Sequence, residues 1–141
     1  MIKLYINQIA KNIIKHIIKD KKQSDIDFDN IHVNRWLNEP RLVKCYVLYE
    51  YEIIKSVVLL SKCDYDPYKE YTKPFLLDYI YTFPEYRRNN VAYTMLLYIK
   101  DKEQTTSFCS NTESENLFKK ANYKFVKNDN ISNSLSIFRF P

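Results

Sequence analysis

The chain contains no glycine in its 141 residues. Average usage is about 7%, and glycine is the residue that reaches positive φ without steric cost. A globular fold still needs tight hairpins, left-handed turns and helix ends. Asn and Asp are the next-best tolerated residues at such positions, so the sequence predicts that they carry them. The chain is also rich in Ile, Lys, Asn and Tyr. These residues have AT-rich codons, and a strongly AT-biased genome explains both features at once.

With 45% hydrophobic and 28% charged residues, the chain has the balance of a globular protein rather than a disordered one. Its length is that of one typical domain, expected to span residues 1–141. Lys3, Lys11, Lys15 and Lys19 interrupt every apolar run near the start. No signal peptide is expected, and no stretch approaches the ~20 apolar residues of a membrane span. Cys45, Cys63 and Cys109 are odd in number and widely spaced. With His16 and His32 as the only histidines, no zinc site is expected. The cysteines read as reduced thiols, which points to the cytoplasm or another reducing compartment. The net charge of +5 suits an anionic partner such as a phosphate-bearing cofactor. Nucleic acid would also suit the charge, but no nucleic-acid-binding motif appears.

Periodicity orders the elements. Residues 2–6 alternate like a strand, and 7–19 place five isoleucines on one face of a helix. A short helix is expected near 31–38, with Trp36 facing inward. Two β-rich runs, 42–49 and 53–60, flank Glu50-Tyr51-Glu52 and read as an antiparallel hairpin. A tyrosine-rich loop covers 64–72. Then follow a strand at 75–83, a helix at 91–103, a strand at 105–110, a helix at 113–121, and strands at 123–127 and 134–140.

The most informative stretch runs from Ile80 to Ala92. A strand enters a proline-marked turn, and a basic loop then opens directly into a helix. Loop amides, the helix dipole and the charges of Arg87 and Arg88 make such a junction a phosphate site. Asn89 and Asn90 stand where glycine usually provides positive φ.

This stretch resembles motif A of the GNAT superfamily of N-acetyltransferases, P-E-Y-[QR]-x-x-G-x-[GA] after a strand. Pro84-Glu85-Tyr86 match its opening, Arg87 takes the [QR] position, Asn90 the glycine and Ala92 the [GA]. A second run, from Asn111 to Tyr123, resembles the family's N-x-x-A-x-x-L-Y-x-K-x-G-F. There Ser114 replaces the alanine, and Asn122 replaces the glycine that ends the helix.

The resemblance implies an α/β (mixed α+β) fold: a central mixed sheet of about seven strands splayed between the fourth and fifth, flanked by about four helices. It implies acetyl-CoA as co-substrate and no metal. The pantetheine would run along Ile80, Tyr81 and Thr82, with Asn111 and Phe118 also on the cofactor. The loop Arg87, Arg88, Asn89, Asn90, Val91 and Ala92 would hold the pyrophosphate. The acceptor, a primary amine of a small molecule or protein, would approach near the first two helices and the loop at 64–72. Asp25, Asp27 and Asp29 would draw in a cationic acceptor.

Asp78 is the base candidate, because family members acting on polyamines carry a carboxylate at the matching position. Tyr79 lies beside it. The family's acid tyrosine follows the leucine of the second motif, where this chain has Phe118. Three readings stand open: Tyr123 substitutes, the thiolate leaves unassisted, or the protein binds the cofactor without efficient transfer. The chain then reads as an acetyl-CoA-dependent N-acetyltransferase. The alternative is a degenerate binding module of the same fold, for an acyl-CoA or a protein partner. A homodimer is an assembly the sequence permits.

Overall fold

The computed structural model describes residues 1–20, 28, 30–128 and 136–141. The acidic run Asp25, Asp27 and Asp29 lies outside them. The described elements are β1 (Ile2–Ile6), α1 (Asn7–Lys19), α2 (Ile31–Leu37), β2 (Val43–Glu50), β3 (Ile53–Lys62), β4 (Pro74–Thr82), a 3-10 turn (Pro84–Tyr86), α3 (Val91–Lys100), β5 (Gln104–Cys109), α4 (Thr112–Lys120), β6 (Lys124–Asn128) and β7 (Ser136–Phe140). The expected order of strands and helices is therefore present. α3 ends earlier than its periodicity suggested. Glu103 beyond it is drawn instead to Lys44 and Tyr46 of β2, at 2.8 and 2.6 Å.

Seven strands form one mixed sheet in the order β1-β2-β3-β4-β5-β7-β6. All neighbours are antiparallel except β4 and β5. Each face of the sheet has its own core. On one face Ala10, Ile14 and Ile17 of α1, with Val33 and Trp36 of α2, cover Val43, Cys45, Val57, Leu59 and Tyr81. On the other face, Met95, Leu96 and Ile99 of α3 and Phe118 of α4 cover Val58, Leu60, Leu77 and Phe138. Alternation along the strands produces both faces, because successive side chains point to opposite sides. The three cysteines are free thiols.

The parallel pair has only three rungs: Pro74 opposite Gln104, Phe75 opposite Thr105, and Leu76 opposite Thr106. Beyond Leu76 the two strands part, as the splay expectation required. The paired end is clamped by a buried ion pair. Arg139 of β7 makes two bonds to the Asp66 carboxylate, at 2.8 and 2.6 Å, with both residues buried. The guanidinium also lies over the rings of Tyr68 and Tyr71, 4.4 and 4.1 Å from the centroids. Asp66 accepts from the amides of Tyr68, Glu70 and Tyr71 as well. This clamp ties the loop at 64–72, which the sequence placed near the acceptor, to β7.

The expectation that Asn and Asp would carry every left-handed position is also corrected. Among the described residues, Asn7, Asn90 and Asn122 have positive φ, but so do Tyr51, Glu52, Lys69 and Arg88. The β2–β3 hairpin turns on Tyr51 and Glu52, φ 51° and 66°, where a two-residue hairpin favours Asn-Gly. Register across a buried sheet overrides local preference here. Asn122, φ 62°, follows the end of α4 as the second motif suggested.

Two stability outcomes follow from these contacts. Replacing Tyr51-Glu52 by Asn-Gly should raise stability by about 1–2 kcal/mol, read from the urea midpoint. Arg139→Met should lower it by about 3–5 kcal/mol, because Asp66 is left charged and buried.

Candidate active site

Where β4 and β5 part, a cavity of about 690 Å³ opens through the sheet. Its walls come from Leu76 to Ile80 of β4, Ser107 to Asn111 on and after β5, Ser114 and Phe118 of α4, and His32 and Arg35 of α2. Since α2 and α4 cover opposite faces, the cavity reaches both. The carboxyl ends of parting parallel strands are a recurrent ligand position in α/β sheets.

Asp78 is placed in the cavity by a β-bulge. Leu59 faces Tyr79 and Leu60 faces Leu77, so Asp78 has no residue opposite it. A bulge of this kind re-aims a side chain without ending the strand. One carboxylate oxygen is buried and has no hydrogen-bond partner. Burial pushes the pKa up to about 6, against the opposing pull of the Ser61 hydroxyl and the charge of Arg35. A carboxyl poised near neutrality inside a cavity is suited to moving protons.

The helix facing Asp78 is anchored at the same irregularity. The Trp36 indole N–H donates to the Leu60 carbonyl at 2.9 Å, and the Asn30 side chain caps α2 by accepting from the amides of His32 and Val33. This holds His32 and Arg35 at the cavity. The His32 ring stacks on Tyr79, with centroids 6.0 Å apart, and Tyr79 stacks on Tyr81 at 5.8 Å.

From Leu77 to Thr82, β4 pairs with β3 on one side and, among the described residues, with no strand on the other. Ile80 lines the cavity, whereas the Tyr81 ring turns into the core of the α1 and α2 face. After the 3-10 turn, the loop 87–90 is exposed. Its left-handed residues are Arg88, φ 68°, and Asn90, φ 58°; Asn89 is not one of them. Arg87 folds back onto β4, donating to the Thr82 carbonyl at 2.9 Å and lying over the Tyr81 ring. Asn90 leads into α3 at Val91 and Ala92 with no side-chain cap and no acidic residue in the first turn. The amides at that end therefore point outward with the positive end of the helix dipole.

Asn111 caps α4, accepting from the Ser114 amide at 2.8 Å, while lining the cavity. Phe118 lines it too, without a hydroxyl to donate. Tyr123 does not reach it. Its ring packs edge-on to Phe118 at 4.9 Å, its hydroxyl is buried without a hydrogen-bond partner, and burial pushes its pKa up to about 12.

Sequence reasoning missed His32, Arg35 and Lys120. The Lys120 ammonium reaches Asn90 Oδ1 at 3.0 Å and so adds charge to the exposed loop. Lys120 occupies the lysine of the second motif, which was a usable signal. His32 and Arg35 carried none, because their placement depends on Trp36 packing across the sheet. Among the described residues, no cluster of His, Cys, Asp and Glu could hold a metal, and no helix is long and apolar enough to cross a membrane.

No family profile and no curated protein matches the sequence. Solved structures do match. An aminoglycoside N(6')-acetyltransferase from Legionella pneumophila superposes with a TM-score of 0.64 at 12% identity, covering 99% of this chain and 91% of its own. The fold is that of the GNAT N-acetyltransferases. A Campylobacter jejuni N-acetyltransferase in complex with acetyl coenzyme A gives 0.59 at 16% identity, covering 99% and 98%. Arabidopsis thaliana NAA60 in complex with acetyl-CoA gives 0.54 at 12%, covering 99% and 97%. The seven-stranded mixed sheet with its parallel β4–β5 pair matches that fold.

Because the folded carboxyl of Asp78 holds its proton more tightly than the unfolded one, stability falls as pH rises from about 4 through about 6. Asp78→Asn should therefore raise stability by roughly 2 kcal/mol above pH 7 and by little at pH 4, read from melting curves at the two pH values.

Proposed function

We propose that the protein transfers the acetyl group of acetyl-CoA to a primary amine. The observation that carries this reading is the cavity at the parting of β4 and β5, with the unpaired carboxylate oxygen of Asp78 inside it. The acetyl-CoA complexes of the structural neighbours support the choice of donor.

The uncapped end of α3 is suited to the pyrophosphate. Val91 and Ala92 supply amides, Asn90 supplies the left-handed entry, and Arg88, Asn89 and Lys120 surround it. Arg87 braces the strand behind this loop. The open edge at Ile80, Tyr81 and Thr82 offers backbone groups to the pantetheine, and Asn111 and Phe118 border the same arm. Asp78, ionised above about pH 6, takes the proton of the attacking ammonium. The amine nitrogen then bonds to the thioester carbonyl carbon, the C–S bond breaks, the nitrogen gives up its second proton to solvent as the amide forms, and coenzyme A leaves as a thiolate that is reprotonated from solvent. Tyr79, beside Asp78, holds the acceptor wall. A thiolate is a tolerable leaving group at neutral pH, so Phe118 in place of an acid slows transfer by about 10²–10⁴-fold at most.

Phe118 and the seclusion of Tyr123 favour a second reading, a module of this fold that binds an acyl-CoA without efficient transfer.

Acetyl-CoA should raise the melting temperature, and Asn90→Val, a β-branched residue in a left-handed position, should remove that shift. No shift at millimolar acetyl-CoA would sink the proposal. Where transfer is measured by thiol release, kcat/KM should rise with pH through an apparent pKa near 6, and Asp78→Asn should abolish that limb. Binding without thiol release across a broad amine panel would establish the second reading instead.

A further inference from the structure

The cavity carries opposite charges on two of its walls. Asp78 stands on β4, and Arg35, with His32 one turn earlier on the same helix, stands on α2. Arg35 is near enough to stabilise the charged form of Asp78, yet the two form no salt bridge. None to Arg35 occurs among the described residues. Arg139 and Arg41, by contrast, are paired with carboxylates, Arg139 with Asp66 and Arg41 with Glu39 and Asp64. The indole bond from Trp36 to the Leu60 carbonyl holds Arg35 at the cavity wall.

A neutral tail on the acceptor would leave this guanidinium facing only water, and a second ammonium would be repelled by it. A carboxylate or phosphate would complete it with charge-assisted, bidentate hydrogen bonds. The cavity must also admit the thioester arm, so its volume of about 690 Å³ leaves room for a small acceptor only.

We infer that the acceptor is a small amine bearing a carboxylate or phosphate, its ammonium at Asp78 and its anionic group at Arg35, with His32 flanking the anion. This rests on the transfer reading of the same cavity.

The test is calorimetric binding of aminoalkyl compounds of graded length, with and without coenzyme A. Their far ends carry a carboxylate, a phosphate, a second ammonium or a neutral amide. The anionic series should bind about tenfold tighter than the amides at the best length. That ratio should fall to about one in Arg35→Ala, and Arg35→Glu should turn the preference towards diamines. The carboxylate and phosphate arms separate the two anion sources. Amides or diamines binding as tightly as the anions, an anionic preference that survives Arg35→Ala, or no anionic binding at millimolar ligand would overturn the inference. Thiol release from acetyl-CoA is followed in parallel. Arg35-dependent anion binding without thiol release keeps the recognition and removes the transfer reading; thiol release without anionic preference does the opposite.

Discussion

Three parallel rungs between β4 and β5 set the shape of everything downstream, and beside them the Asp66–Arg139 pair ties the loop before β4 to β7. With fewer rungs the two halves of the sheet would have no common register. With more, the slot at the carboxyl ends of these strands would be zipped closed. A single parallel pair in an otherwise antiparallel sheet is a natural place to part, because α3 crosses over between β4 and β5 and no hairpin ties their far ends. The buried ion pair is an expensive way to fix the loop before β4, since desolvating both charges offsets much of their attraction. Its geometry, with three backbone amides and two tyrosine rings around the charges, makes it specific to one arrangement of the loop at 64–72.

The order of elements was legible because hydrophobic spacing differs between strand and helix. The Ile-rich face of α1, the alternation in β1 and the β-rich run of β2 are patterns of this kind. The strand-to-helix junction was legible because Pro84, the two arginines and Asn90 have local reasons to be there. Phe118 was legible from its place in the second motif, and Asp78 from its match to a family carboxylate position; both line the cavity. What stayed hidden depended on distance. The bulge at Asp78 is a mismatch with β3, some twenty residues earlier, and neither strand shows it alone. Arg35 looked like any exposed basic residue on a short helix until Trp36 fixed that helix over the bulge. Tyr123, close to Phe118 in sequence, sits under it rather than beside the slot, because Asn122 turns the chain back below α4.

The missing glycines also act differently from their first appearance. At Asn90 and Asn122 substitution is gentle, since asparagine tolerates the left-handed region. At Tyr51, Glu52, Lys69 and Arg88 the long-range structure imposes that region on residues that resist it. The fold's contacts therefore outweigh several local penalties of about 1 kcal/mol each. In Asp78 the conflict is sharper, because the buried carboxylate that destabilises the folded chain is the group the proposed transfer would need.

The cavity's lining from both sides of the sheet has a kinetic consequence. One part of its wall comes from α4 and the end of β5, another from α2. In the proposed transfer, donor and acceptor would arrive from different sides and neither would block the other's route. A random-order ternary complex with direct attack is the scheme this layout favours. A covalent relay through the chain has little to offer it: Cys109 sits at the slot, but burial pushes its thiol up to about 11, out of the range of a resting nucleophile.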